Sequence, residues 1–375
     1  MVYFDNAATT KPCKEAISVL NNSLLKFGNP SSLHGLGLEA SQIISLARKQ
    51  IASSLGVDDS EIYFTSGATE ANNTAIFGAA SKLGKRMKKI VISSVEHPSV
   101  SEPCRILESK GFDVVKISPQ SDGFHVEDFV NAVDENTCLV SCMLCNNEIG
   151  AMLPVSEVFK TLKKKYPQTI LHCDFVQGFL KLSLKQKELH ADMISLSGHK
   201  IHALKGVGAL YIKKNLHIPP FIFGGGQERG FRSGTESVPL ISSFGAAADA
   251  MYKNLDANFH HVQMLSEHLR CEVKSLDGIV LNSPSDGSPY INSISVGNIR
   301  SEVLLHFLEG REIYVSSGSA CSKGKKSKVL TEFHIPDSVA DSTIRISFCP
   351  ENTIEEVDLL LEALKDAKNN LVGIK

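Results

Sequence analysis

Short continuous apolar runs alternate with longer stretches of helical spacing through most of this chain. The runs Glu61–Thr65, Lys89–Ser93, Asp113–Ile117, Leu139–Leu144, Thr169–Cys173, Asp192–Leu196 and Gly208–Ile212 are too short for helices. Apolar without alternation, they read as strands buried on both faces. Between them, apolar residues three or four apart predict helices over Glu70–Lys82, Ser99–Lys110, Val155–Tyr166 and Ser242–Leu255. This alternation predicts an α/β fold with a mostly parallel sheet of seven strands wrapped by helices. The last third changes character. A long helical pattern at Asn258–Lys274 leads to isolated strand patterns at Ile291–Val296 and Thr343–Phe348, with helices expected at Ser301–Leu308 and Ile354–Asn369. We expect a large domain over 12–255 and a smaller α+β domain from 1–11 and 256–375, because 375 residues exceed one ordinary core.

Charge excludes more than it suggests. A formal net charge of −2 gives no reason to expect nucleic acid or an acidic membrane as partner, and the basic run Lys82 to Lys89 reads as a solvated surface. No apolar run approaches the roughly 20 residues that span a bilayer. The N-terminus, with Asp5 and only a short apolar stretch, matches neither a signal nor a transit peptide. A cytoplasmic protein is expected. The nine cysteines are scattered, which in a chain this long argues for reduced thiols. Cys142 and Cys145 form a C-x-x-C, but on a strand residues three apart point to opposite faces, so no metal site is expected there.

The candidate chemistry sits where strands end. Lys200 follows the strand pattern through Leu196 in the turn Ser197-Gly198-His199-Lys200. A lysine held in a dry pocket beside other cations loses its proton easily and forms an imine with an aldehyde. Asp174 ends the neighbouring pattern Thr169–Cys173. Imine-forming lysine and buried carboxylate are what pyridoxal 5'-phosphate requires, one for its aldehyde and one for its ring nitrogen. Ser66-Gly67-Ala68-Thr69 joins a strand to the helix expected from Glu70, so free N–H groups there suit a phosphate. No P-loop motif is present. His97, at the end of another strand, can stack on a cofactor ring and shuttle protons. Asn147 and Gln177 lie just past strand ends and can donate to the cofactor's phenolic oxygen. Arg345, on a strand of the small domain, suits capture of an amino acid's carboxylate. Cys321 lies in a small, basic stretch whose lysines favour the thiolate.

With these residues the chain resembles the pyridoxal-phosphate-dependent cysteine desulfurases of the NifS/IscS type, within the class V aminotransferases. The resemblance runs nearly end to end, from Tyr3-Phe4-Asp5-Asn6-Ala7-Ala8-Thr9-Thr10 through Phe27-Gly28-Asn29-Pro30 to the C-terminal helix. Ser197-Gly198-His199-Lys200, Arg232-Ser233-Gly234-Thr235 and Ser316-Ser317-Gly318-Ser319-Ala320-Cys321 are its most specific motifs. It implies a fold-type-I homodimer with shared active sites. Lys200 is then the cofactor lysine, Asp174 the partner of the ring nitrogen and His97 the stacking histidine. Asn147 and Gln177 lie near the phenolic oxygen, and Asn147 also borders the substrate. Ala68, Thr69, Ser197 and His199 hold the phosphate, with Thr235 reaching across from the other subunit. Arg345 anchors the carboxylate of L-cysteine. Cys321 takes its sulfur as a persulfide and passes it to an acceptor protein for iron–sulfur clusters or transfer-RNA thiolation, leaving L-alanine.

The sequence departs from the family in places. Phe175 stands where alanine is usual, and His202-Ala203-Leu204-Lys205-Gly206 replaces a Gly-Pro before Lys-Gly. The stretch after Cys321 is slightly shorter and richer in lysine. Two rivals share the fold, a selenocysteine lyase and a class V aminotransferase, although the latter has no need of Cys321. A non-catalytic sulfur-relay or scaffold protein is the rival of another kind, and it would have no need of Lys200, Asp174, His97 and Arg345 together.

Overall fold

The computed structural model describes residues 1–317 and 327–371. In chain order the strands are β1 (Val2–Tyr3), β2 (Ile62–Thr65), β3 (Lys89–Ser93), β4 (Asp113–Ile117), β5 (Thr137–Met143) and β6 (Ile170–Asp174). After them come β7 (Met193–Ser197), β8 (Gly208–Ile212), β9 (Ile279–Leu281), β10 (Ile291–Val296), β11 (Ile313–Tyr314), β12 (Ser316–Ser317) and β13 (Thr343–Ser347). The seven apolar runs join in one sheet of order β2-β8-β7-β6-β5-β3-β4. All its pairings are parallel except those of β8, which runs antiparallel to both β2 and β7. The segment 198–207 between β7 and β8 is too short for a crossover helix, so the chain has to return antiparallel.

Alternate side chains of each strand feed cores on the two faces of the sheet. Val91, Val140, Leu171, Ile194 and Leu196 pack on one face with the helices Gly35–Leu55, Val155–Lys165 and Val238–Lys253. Ile90, Ile92, Leu139, Ile170, Met193 and Leu210 pack on the other, against Ala71, Ala75, Ile76 and Ala79 of the helix Ala68–Leu83. Small inward side chains let that helix lie close to the sheet.

A separate core forms around the four-stranded sheet β12-β13-β10-β9 and the helices Leu255–Ser275 and Ile354–Asn370. The strand patterns that look isolated in the sequence, β10 and β13, are in fact direct antiparallel partners. Val2, Phe4 and Ala7 belong to this core although they start the chain. β1 pairs parallel with β11, and Asp5 bridges to Ser347 of β13. The N-terminal segment therefore straps the second core to the edge of the first.

Two shifts in element ends bear on the site. The helix expected from Glu70 begins at Ala68, directly after Gly67. β6 includes Asp174 and β7 includes Ser197, so both side chains are fixed by strand geometry and not by loops.

Phe175 turns away from the mouth of the sheet. It is fully buried, 6.2 Å from the Phe179 ring, and lies over Gly178, where a Cβ would come within 2.3 Å of its ring. A bulky residue beside Asp174 is thus accommodated by the missing side chain three positions on.

Candidate active site

Asp174, Lys200 and His97 come together at the C-terminal edge of the sheet, at or just past the ends of β6, β7 and β3, where His97 feels the charge of both other groups. Lys200 occupies the one-turn helix Gly198–Lys200 that closes β7. Its Nζ donates to the carbonyls of Ala7 and Ala8, each at 2.6 Å. The acceptors are neutral. Burial, together with the cations of Lys181 and Arg345, brings the amine down to about 7, while Asp5 and Asp174 pull the other way. Near neutral pH much of this lysine is an uncharged nucleophile.

Asp174 is buried at the rim. Its Oδ1 accepts from Val176 N at 3.1 Å and its Oδ2 from Asn72 Nδ2 at 2.8 Å. Asn72 also donates to Ser99 Oγ at 2.8 Å, and Ser99 Oγ lies 2.8 Å from His97 Nδ1. His97 Nδ1 accepts from Ser99 N as well, which leaves the proton of a neutral ring on Nε2. Burial and the Lys200 charge lower its proton affinity, against the pull of Asp174. One continuous network therefore orients the carboxylate and the imidazole.

The helix Ala68–Leu83 follows the N-cap Gly67, whose φ of +156° is open to glycine and which has no side chain to cap the N–H groups of the first turn. The start of β8 passes beneath this turn so closely that a Cβ on Gly208 would lie 2.7 Å from Gly67 C. Ser197 is buried at the end of β7. His199 Nδ1 lies 3.2 Å from Thr9 Oγ1, and burial with nearby Lys200, Lys205 and Lys181 pushes it down to about 4, so it is a neutral hydrogen-bonding ring. Glu70 receives a bidentate contact from Arg232 at 2.9 and 3.1 Å, tying the Arg232-Ser233-Gly234-Thr235 motif to this helix start. Thr235 itself is exposed, and among the described residues no hydrogen bond joins it to Lys200, Ser197 or His199.

Arg345 comes from the second core. Its guanidinium donates to Asn147 O at 2.8 Å and to Asp5 Oδ1 at 2.8 Å, and its buried Nε has no partner among the described residues. Asn147 is half-buried, so its backbone holds Arg345 while its side chain remains available. Gln177 Nε2 donates to Ala7 O at 3.0 Å, and among the described residues its second N–H has no acceptor. β12 pairs with β13 at Ser316 opposite Arg345, and the chain leaves the described residues at Ser317 on this path. Cys321 lies outside the described residues.

Several groups here escape a reading of the sequence. Asn72 is buried on a helix whose other inward residues are mostly small or apolar. The Ala7 and Ala8 carbonyls act through backbone, which no motif marks. Glu96 is fully buried, accepting from Ser93 Oγ at 2.6 Å and Met143 N at 2.7 Å. Burial, then Asp174's charge, raises it to about 8, so it is a neutral acid that pins the His97 turn to β5. Beneath Asp174, the fully buried His172 bridges Ser141 Oγ at 2.8 Å and Ser195 Oγ at 2.9 Å, and burial drives it down to about 3. Its only mark in the sequence is a polar ring inside an otherwise apolar run.

The donor set suits a phosphorylated aldehyde with a basic ring nitrogen. An amine that is neutral near pH 7 faces the crevice, a hydrogen-bonded carboxylate lies on the next strand, and an uncapped helix start provides N–H groups for a dianion.

Known proteins with the same organisation are numerous. Residues 2–360 match the family model for aminotransferase class-V. A NifS/IcsS protein homolog of Lactobacillus delbrueckii subsp. bulgaricus is 39% identical over 98% of this chain and 97% of its own length. A cysteine desulfurase IscS of Dictyoglomus turgidum is 38% identical over 97% of this chain and 93% of its own. Among solved structures, a NifS-like protein superposes with a TM-score of 0.93 at 38% identity, covering 99% of this chain and all of its own. A protein named SspA, solved in complex with cysteine, gives a TM-score of 0.81 at 31% identity over 94% of this chain and all of its own.

Proposed function

The chain belongs to the class-V aminotransferase family, and on that footing we propose that it is a cysteine desulfurase, converting L-cysteine to L-alanine and delivering the sulfur to Cys321. The observation that carries this reading is the convergence of Lys200, the Asp174–Asn72–Ser99–His97 network and Arg345 on one crevice. Pyridoxal 5'-phosphate, when bound, supplies an aldehyde for the amino group and a ring that accepts the electron pair left at Cα. Lys200 would hold that group through its aldehyde and Asp174 through its ring nitrogen. The first turn of the helix Ala68–Leu83, with Ser197 and His199, receives its phosphate.

The chain's own groups do the remaining work. Arg345 fixes the substrate carboxylate, exchanging its contact with Asp5 for one of the same charge. Lys200 takes the proton from the substrate Cα and returns it, which its low proton affinity permits. His97 Nε2 carries the proton facing the crevice and can pass it to or from the reacting groups. The Cys321 thiolate attacks the substrate sulfur. The C–S bond breaks as the S–S bond forms, carbon keeps the bonding electron pair and is protonated, and alanine leaves. The persulfide then passes its outer sulfur to an acceptor protein.

The enzyme works as a cytoplasmic homodimer. The exposure of Thr235 away from its own chain's site favours a role in the partner's phosphate pocket, and the described cysteines are all free, as expected in a reducing compartment. Among the described residues no helix is long and apolar enough to cross a membrane. In this reading 12–255 form the domain that carries the cofactor, and 1–11 with 256–375 form the domain that brings Arg345 and Cys321. The two separate cores support that division.

The test is alanine release from L-cysteine by protein reconstituted with pyridoxal phosphate under reducing conditions. Wild type should form alanine and sulfide, and Cys321→Ala should keep the bound cofactor's colour but lose about 100-fold or more of the alanine rate. A coloured wild type that is silent with cysteine would redirect the assignment to selenocysteine or an amino-group acceptor.

Arg345→Lys keeps the charge but gives up the planar fork. We expect KM for L-cysteine to rise on the order of 100-fold with a much smaller change in kcat. An unchanged KM would remove Arg345 from the substrate site.

A further inference from the structure

Lys181 is a lysine with 4% of its surface exposed, in a place where packing alone would be satisfied by methionine or leucine. Its Nζ donates to Gln177 Oε1 at 2.8 Å and lies 5.8 Å from the centre of the Tyr290 ring. The hydrogen bond goes to a neutral amide. Burying an ammonium against an amide is costly, so the charge itself needs a reason to be there. The neighbours supply one. Gln177 Nε2 donates to Ala7 O at 3.0 Å, and the same carbonyl accepts from Lys200 Nζ at 2.6 Å. Lys181, Gln177, the Ala7 carbonyl and Lys200 thus form one hydrogen-bonded line from a buried cation to the reactive amine.

We propose that Lys181 is a positioning residue for the Lys200 chemistry: its buried ammonium orients the Gln177 amide and, while it is protonated, disfavours a second positive charge on Lys200. The inference rests on the reading of Lys200 as the cofactor lysine. Both ends of the line have charged or titratable company. Lys181 faces Arg345 and the thiols of Cys145 and Cys349. Lys200 faces Lys181, Arg345, Asp5 and Asp174, with His97 and His199 beside it. After burial itself, Lys181 is the largest influence holding Lys200 down, ahead of Arg345. Burial also lowers Lys181, but only to about 8, so at pH 7 it keeps most of its charge. Its alkyl stem fills the core while its head does the electrostatic work.

The sign follows directly. Removing a positive charge makes it easier to place a proton on the nitrogen of Lys200, whether free or joined to the aldehyde, so that nitrogen should titrate at higher pH. The experiment is a pH titration of the visible absorption band of the holoenzyme for wild type, K181M, K181Q and K181R, which needs no turnover. We expect the midpoint to move up by about one pH unit in K181M and K181Q and to stay near the wild-type value in K181R. K181Q keeps a hydrogen-bond donor for Gln177, so it carries the test if K181M fails to fold. A midpoint in K181Q equal to that of wild type would overturn the proposal. So would an equal upward shift in K181R, because that variant keeps the charge. A wild type that acquires no visible band on reconstitution would instead overturn the functional reading itself, and this inference with it.

Discussion

Lys200→Ala should release no measurable alanine from L-cysteine, a loss on the order of 10,000-fold or more, while folding as wild type does. Two roles vanish together. The variant has no amine to hold the aldehyde, and it has no base at the substrate Cα. The surroundings explain why no neighbour substitutes. Lys181 points at Gln177 and is fixed there, and the His97 Nδ1 side is committed to Ser99. Folding is spared because the Lys200 contacts are to carbonyls of a segment that other bonds already secure, among them Asn6 Nδ2 to Ser347 O at 2.9 Å and Thr10 N to His199 O at 2.9 Å. The measurements are alanine production, the visible spectrum and a thermal melt on the same preparation. The spectrum should lose the band due to the bound lysine, whereas Cys321→Ala should keep it. That contrast separates loss of cofactor chemistry from loss of the sulfur acceptor. A Lys200→Ala protein retaining a tenth of wild-type activity would move the reactive amine elsewhere, with Lys181 first in line.

The sheet was legible because its strands are buried on both faces, which compels unbroken apolar runs such as Ile90-Val91-Ile92. The direction of β8 was not legible. Its residues are as apolar as those of its parallel neighbours, and only the short link from Lys200 to Gly208 forces the return. The helix Gly35–Leu55 buries Gly37, Ala40, Ala47, Ala52 and Ser54 as well as Ile44 and Ile51. Small residues on its inward face blur the contrast on which periodicity depends. The pairing of β10 with β13 spans an interval too long for any local pattern to announce.

The same division runs through the site. Lys200, Asp174 and His97 stand at strand ends, where polar residues interrupt apolar runs, so position in the sequence already points to the crevice. Their supports come from elsewhere in the fold. Asn72 arrives on a helix, the Ala7 and Ala8 carbonyls on the N-terminal strap, and Lys181 from the turn four residues beyond Gln177. Each is recognised only by the bond it makes across the fold. Cysteine chemistry shows the reverse case. Buried thiols such as Cys142 and Cys173 are held far from ionisation by their surroundings, so the candidate nucleophile was found by its polar, basic sequence setting and not by cysteine count.

Glu228→Ala should destabilise the protein by about 3–5 kcal/mol although it lies away from the reacting groups. Glu228 is buried and takes both arms of Arg48, at 2.7 and 2.8 Å, while its Oε2 also accepts from Phe64 N at 2.9 Å. Arg48 in turn donates to Ile62 O at 2.7 Å and stacks 4.7 Å from the centre of the Phe64 ring. Without Glu228, a largely buried guanidinium keeps only a carbonyl, and a strand N–H loses its acceptor. The backbone adds to the cost. Glu228 and Arg229 have φ of 48° and 58°, a left-handed conformation that side-chain-bearing residues adopt only under constraint, and the Arg48 contact supplies that constraint. The effect reaches function, since Phe64 lies on β2 just before the Ser66-Gly67 turn that opens onto the phosphate site. Glu228→Ala should therefore lower the thermal midpoint by roughly 5 °C or more and weaken retention of pyridoxal phosphate on dialysis. Arg48→Met with Glu228→Met tests the cause, because removing both charges spares the uncompensated cation and should recover part of the loss. If the single variant melted with wild type, the ion pair would be incidental, and the left-handed turn would have to be held by Arg229, which donates to Ile62 O at 2.6 Å.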